Sequence, residues 1–141
     1  MKRLLRFFSW TLFVLLLVVL GMFAGAHWLR YQQRDDVVLA KFRGQRVQPR
    51  IQRYTLGERT IRFLESAPDS SPARPVVLFV HGAPSSLTFF NAFFQDTALT
   101  HHARLVAVDR PGYGSSDFGW VETSIVRQAQ LLQPLIERYR S

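Results

Sequence analysis

The sequence predicts an α/β fold preceded by one membrane-spanning helix, and three observations carry that expectation. A long uncharged apolar run opens the chain, two short apolar runs rich in β-branched residues lie at Val76–Val80 and Leu105–Val108, and a stretch of helical spacing separates those two. Apolar runs this short suit strands covered on both faces of a sheet better than they suit a buried helix. Strand, helix and strand joined by short connections form the βαβ unit, whose strands lie parallel.

From Phe7 to Leu29 no residue carries a formal charge; Lys2, Arg3 and Arg6 precede this run, and Arg30 and Arg34 follow it. At about 1.5 Å per residue the run crosses a hydrocarbon core of about 30 Å. A soluble helix of that length would keep a polar face, whereas Leu12 to Leu20 is apolar all round. Residues 1–6 are therefore read as a basic flank and 7–29 as a transmembrane helix or uncleaved signal anchor. A cleaved signal peptide is the competing reading, with Trp10 to Val19 as its apolar region and Ala24-Gly25-Ala26 as small residues for cleavage. The apolar run exceeds the usual length of such a region, which favours the anchor. Both readings place the N-terminus inside and the remainder on the exported, periplasmic or extracellular side, although the basic stretch from Arg30 to Arg50 opposes that orientation.

Residues 30–50 are polar and basic without a sustained period, and are read as a juxtamembrane linker. The fold-forming part is expected at 51–141. Ile51–Leu56 and Thr60–Glu65 alternate in part around Gly57-Glu58, which predicts an antiparallel hairpin. Ala67–Pro75 reads as a loop. Between the two apolar strands, Phe90, Phe93, Phe94 and Ala98 lie at helical spacing within Leu87–Leu99, and the aromatic cluster there is read as helix-to-sheet packing. Ile125, Ala129, Leu132, Ile136 and Tyr139 mark a last helix, which Pro134 is expected to kink or restart.

A net charge of +8 invites a nucleic-acid partner, but its distribution argues against one. Residues 1–50 carry nine Lys/Arg and two acids, while residues 51–141 carry nine Arg and eight acids. The excess thus surrounds the apolar segment, where it suits lipid headgroups and topology, and the fold-forming part is nearly neutral. The chain has no cysteine, which excludes disulfides, thiolate metal sites and a cysteine nucleophile. No metal or cofactor is expected.

Ligands of open α/β sheets bind beyond the carboxyl ends of the strands. Val80 is followed by His81-Gly82-Ala83-Pro84-Ser85-Ser86, and Val108 by Asp109-Arg110-Pro111-Gly112-Tyr113-Gly114-Ser115-Ser116-Asp117. An apolar strand ending in H-G-x-P, followed at the next strand end by D-R-P-G-x-G-x-S-D, resembles the α/β-hydrolase superfamily over roughly residues 50 to 140. The resemblance implies a partial α/β-hydrolase sheet, an antiparallel hairpin followed by a parallel βαβ unit. It also implies that the amide of Ala83 is an oxyanion-hole donor. His81, Gly82 and Pro84 are then the scaffold of that loop, and Asp109, Arg110, Gly112 and Gly114 the scaffold of the second loop. His81 is not taken as the catalytic base, because in that family the base follows the last strand. Asp109 and Arg110 are expected to satisfy backbone groups or to pair together.

The family's nucleophile stands in G-x-S-x-G after the next strand, and no serine here has glycine two places away on both sides. Nucleophile, acid and base of the Ser-Asp-His triad are therefore expected beyond Ser141, and these 141 residues alone are expected to be inactive. The parent implied by the resemblance is a membrane-anchored hydrolase of ester or amide acyl substrates, held to the lipid bilayer through residues 7–29. A relative with an aspartate nucleophile, of the epoxide hydrolase or dehalogenase type, is the chemical alternative. A non-catalytic membrane-tethered half-fold is the alternative of another class.

Overall fold

The structure is a computed structural model that describes residues 2–28, 33–66 and 74–140. Most of the loop expected over Ala67–Pro75, and the last residue of the expected transmembrane span, lie outside the described residues. The chain divides into two units, Met1–Arg30 and Tyr31–Ser141.

The first unit is one helix, α1 (Lys2–Trp28), of 27 residues, about 40 Å long at the usual rise. Its segment Phe8–Gly25 has a mean hydropathy of 2.2 and buries no residue. It is long and apolar enough to cross a membrane. The helix takes in Lys2, Arg3 and Arg6, so the basic flank is helical as well.

The second unit is built on a four-stranded sheet in the order β1-β2-β4-β3. Strands β1 (Arg50–Leu56) and β2 (Arg59–Glu65) form the antiparallel hairpin, paired from Arg50↔Glu65 to Leu56↔Arg59. Strands β3 (Val76–Val80) and β4 (Arg104–Val108) run parallel, in register from Val76↔Arg104 to Val80↔Val108. The hairpin joins the parallel pair through β2 and β4, antiparallel over Phe63↔Val108 to Glu65↔Val106. The hairpin and the βαβ unit are thus as the sequence predicts. Both apolar runs were expected to be covered on two faces, and only β4 is: Leu105 to Val108 are fully buried, while β3 stands at the sheet's edge with Val76 and Val80 exposed.

Alternation of side chains divides the core into two layers. On one face Leu64, Leu105 and Ala107 pack with Leu87, Phe94, Val38 and Phe42; on the other Ile61, Phe63, Val106 and Val108 pack with Leu132 and Leu135. Val38 and Phe42 correct the expected linker. Asp35–Ala40 is a short helix, α2, and its Val38, with Phe42 just beyond its end, closes the first layer. Helical spacing is hard to see in a six-residue element among basic residues, because two apolar contacts suffice to dock it.

The connection between β3 and β4 is also more broken than the spacing suggests. A 3₁₀ turn at Leu87–Phe90 leads into α3 (Asn91–Gln95), and Asp96 separates it from α4 (Thr97–His102). Asp96 has extended backbone, and its carboxylate accepts from the amides of Ala98 and Leu99 at 2.9 and 3.0 Å, so it caps a new helix rather than continuing the old one. The aromatic cluster packs on the sheet as expected: Phe79 of β3 stacks on Phe90 and Phe93 at centroid distances of 4.9 and 5.2 Å.

The last helix, α5 (Ile125–Arg138), starts at Ser124, whose hydroxyl accepts from the Arg127 amide. It runs through Pro134 without restarting. Pro134 cannot donate to the carbonyl of Gln130, a residue exposed at the surface. The buried stripe is Leu131, Leu132 and Leu135; Ile125 and Ile136, expected on that stripe, face solvent. The Tyr54 hydroxyl donates to the Leu131 carbonyl at 2.7 Å and ties the hairpin to this helix.

Candidate functional site

Residues 81–86 leave the carboxyl end of β3 in non-helical backbone, and residues 109–117 leave the carboxyl end of the parallel strand β4 beside them. The two loops are cross-linked. The Nε2 of His81 accepts from the Arg110 amide at 3.1 Å, and its Nδ1 lies 2.6 Å from the Gly82 carbonyl. An Nε2 that accepts leaves the proton on Nδ1, which donates to that carbonyl. The ring also meets Tyr113 edge-on at 5.7 Å.

Both nitrogens of His81 are thus spoken for by a neutral ring, and a second proton would set an N–H against an N–H. Burial lowers the pKa of His81 below the ordinary 6.5; the Gly82 carbonyl and Asp109 pull it upward, and Arg110 pushes it down. The unfolded chain therefore binds more protons than the folded one in the window below pH 6.5, so this contribution to stability is fully present above that pH and is lost as pH falls through it. The expected result is a His81 titration midpoint below 6.5 by NMR of the ring, with unfolding made easier from pH 7 to pH 5; a midpoint above 6.5 contradicts the assigned hydrogen bonds.

Asp109 and Arg110 do not pair with each other. As neighbours at a strand end they point to opposite sides. Arg110 reaches Gln128 of α5 through Nε at 3.0 Å and lies over the Tyr113 ring at 5.2 Å. Asp109 is fully buried and turns under the first loop, where Oδ1 accepts from the Leu87 amide at 2.7 Å and Oδ2 from the Ser115 amide at 2.9 Å. Its cation is Arg62 of β2, also fully buried, with Nη1 at 3.1 Å from Oδ2. The other terminal nitrogen of Arg62, Nη2, lies 2.9 Å from Asp35 of α2, as an ion pair poorly aligned for a hydrogen bond. Burial works to raise the Asp35 carboxyl, but the hydrogen bond and charge of Arg53 and the charge of Arg62 outweigh it and hold Asp35 below the ordinary range.

The second loop also completes the sheet. Strand β2 pairs with β4 only from Phe63 to Glu65, which leaves backbone groups of its first half without a strand partner. Loop atoms supply them: the Arg62 amide donates to Ser116 Oγ at 2.8 Å, the Thr60 amide to Asp117 at 2.8 Å, and the Arg62 carbonyl accepts from the Asp109 amide at 2.9 Å. A buried donor left unpaired costs about 1–3 kcal/mol, which accounts for short polar side chains at 116 and 117.

Gly82, Ala83 and Pro84 are exposed at the mouth, with a cis bond between Ala83 and Pro84. The Ala83 amide donates to no acceptor among the described residues. A Cβ at Gly112 would stand 2.3 Å from the Val121 Cα, and one at Gly114 would stand 2.3 Å from the Asp109 carboxylate. Among the described residues no group of three His, Cys, Asp or Glu gathers as a metal site. Sequence reasoning missed Arg62 and Asp35. Arg62 occupies a polar position of a partly alternating strand, and a lone charge there reads as solvent-facing.

Solved structures share this fold in part. A thioesterase domain from the curacin biosynthetic pathway matches with a TM-score of 0.50 at 21% identity, over 64% of this chain and 31% of its own. The haloalkane dehalogenase DatA of Agrobacterium tumefaciens C58 matches with a TM-score of 0.51 at 25% identity, over 63% of this chain and 28% of its own. An epoxide hydrolase of Vigna radiata matches with a TM-score of 0.51 at 21% identity, over 64% and 28%. The fold is that of the α/β-hydrolases, in part. The chain spans less than a third of each of these α/β-hydrolase structures. No family model and no curated protein matches the sequence.

Proposed function

We propose that this chain is the N-terminal portion of a membrane-anchored α/β-fold hydrolase that cleaves ester- or amide-type acyl substrates. The observation that carries this reading is the Ala83 amide, without an acceptor among the described residues, at the carboxyl end of parallel strand β3 beside the Asp109–Asp117 loop. A tetrahedral intermediate needs a donor aimed at the oxygen where charge develops, and an N–H on a loop fixed by buried polar contacts meets that need. The nucleophile, acid and base of a Ser-Asp-His triad would be supplied outside these 141 residues, with the second oxyanion donor following the nucleophile. The edge of β3 supports this division. β3 is the last strand of the order β1-β2-β4-β3 and exposes Val76 and Val80, so a further strand pairing with it would bring the nucleophile next to Ala83.

Helix α1 supports attachment to a lipid bilayer by its length and composition. The domain would then face the exported side, with the basic flank at Lys2, Arg3 and Arg6 retained inside. The dehalogenase and epoxide hydrolase among the structural neighbours favour a second reading, in which an aspartate replaces the serine nucleophile.

Labelling the intact protein with a fluorophosphonate separates the two: a labelled serine supports acyl hydrolysis, and no labelling together with turnover of an epoxide supports the aspartate. Ala83→Pro removes the donor and is expected to lower kcat about 10² to 10³-fold, while Ala83→Gly retains the N–H and most of the rate. An unchanged rate in Ala83→Pro ends the assignment of this amide.

A further inference from the structure

The loop that presents Ala83 is held at one end by β3 and at the other by Leu87, whose amide is bound to Asp109 at 2.7 Å. Asp109 is held in turn by Arg62, and Arg62 by Asp35. Asp35 is the first residue of α2, the segment that precedes the hydrolase-like sheet in sequence. It also takes both terminal nitrogens of Arg53, at 2.7 and 3.0 Å. Val38 of the same helix shares a core cluster with Leu87, so α2 meets the loop's far end by packing as well as by charge.

We propose that Asp35 and Arg62 are positioning residues for the 81–86 loop, and that α2 is part of the frame of the site rather than a tether. The proposal rests on the reading of Ala83 as an oxyanion donor. Its physical basis is one guanidinium stretched between two carboxylates. Arg62 has no exposed surface, its Nε has no hydrogen-bond partner, and beside Asp109 its Nη1 has only Ser115 Oγ at 3.4 Å, so the charge of the cation is met by Asp35 and Asp109 together. With Asp35 neutral, Nη2 is left buried beside an uncharged group. The guanidinium then turns fully toward Asp109 and draws that carboxylate off the Leu87 amide. A lysine does not replace it, because a single ammonium lacks the fork that spans both carboxylates.

The test is amide hydrogen exchange by NMR on the whole chain in lipid nanodiscs. Asp35→Asn keeps the shape of the side chain and the packing of Val38 and Phe42. The expected result is exchange about tenfold faster at Leu87 and Ser115, the size of losing a hydrogen bond to a charged group. The Ala83 amide resonance should shift while the β1–β2 ladder keeps its rates. Arg62→Lys should reproduce this pattern, and Asp35→Glu should restore the slow exchange. Unchanged rates at Leu87 and Ser115 overturn the proposal, as does equal acceleration throughout the sheet, which marks α2 as structural only. A still Ala83 resonance beside a faster Leu87 overturns it too. These measurements use no substrate, so failure of Ala83 as a donor, read from kcat of the intact enzyme, is distinguished from failure of the relay.

Discussion

Arg62→Met lowers the unfolding free energy of the chain by about 3–5 kcal/mol, the cost of breaking a buried ion pair from one side. Arg62 and Asp109 have no exposed surface, so deleting the cation leaves a carboxylate where water does not reach it. Methionine replaces most of the apolar stem, which removes packing loss as the main cause. The amides of Leu87 and Ser115 still donate to Asp109 and offset part of the penalty. Asp35, partly exposed, recovers solvation and Arg53, so it adds little. The double variant Arg62→Met with Asp109→Asn should therefore be more stable than Arg62→Met alone, because an amide oxygen keeps one donor satisfied without a buried charge. Urea unfolding of the detergent-solubilised chain measures both. A loss below about 1 kcal/mol for Arg62→Met would show that the charge of Asp109 is met by the loop amides alone.

What was legible in the sequence follows from how local each signal is. Val76–Val80 and Leu105–Val108 announce strands as short runs rich in β-branched residues, although only the second is buried on both faces, and the residues after them lie on strand-end loops wherever the sheet is parallel. The hairpin around Gly57-Glu58 was legible for the same reason, since turn and alternation lie within a few residues. Arg62 was not, because its partners are Asp35 and Asp109, 27 and 47 positions away, and nothing near it marks its burial. Helix α2 escaped because its docking depends on Val38 and on Phe42 just past its end, whose meaning lies in the distant Leu64 and Leu87. The stripe of α5 was misplaced by a fraction of a turn: Leu132 belongs to two stripes, and the burial of Leu131 and Leu135 decided between them. Burial of the Arg110 neighbour Asp109 was likewise unreadable, since an aspartate at a strand end suits a capped turn as well as an ion pair.

Gly112→Ala should cost about 2–5 kcal/mol, and Gly119→Ala only about 1–2 kcal/mol, although both glycines have left-handed backbone. Their φ angles are nearly equal, +89° at Gly112 and +91° at Gly119, so a side chain meets similar torsional strain at each. The surroundings differ. At Gly119 a Cβ meets nothing within 4 Å, whereas at Gly112 it would stand 2.5 Å from the Trp120 carbonyl and the Val121 nitrogen. Those are backbone atoms of a segment folded back on the loop, held by Gly119 donating to the Gly112 carbonyl at 3.0 Å and by Glu122 donating to the Pro111 carbonyl at 3.4 Å. They cannot swing away as the end of a side chain would. Relief requires parting the 119–122 segment from 111–112, which also frees Trp120, whose ring stacks under Arg59 at 4.1 Å. Ser116 and Asp117, which complete the edge of β2, move with the same loop. Comparison of the two variants by urea unfolding isolates the contact from the torsion, because the torsion is common to both. Equal losses would mean that the loop yields at 119–122 without cost, and the second loop would then be too soft to hold Arg110 against His81.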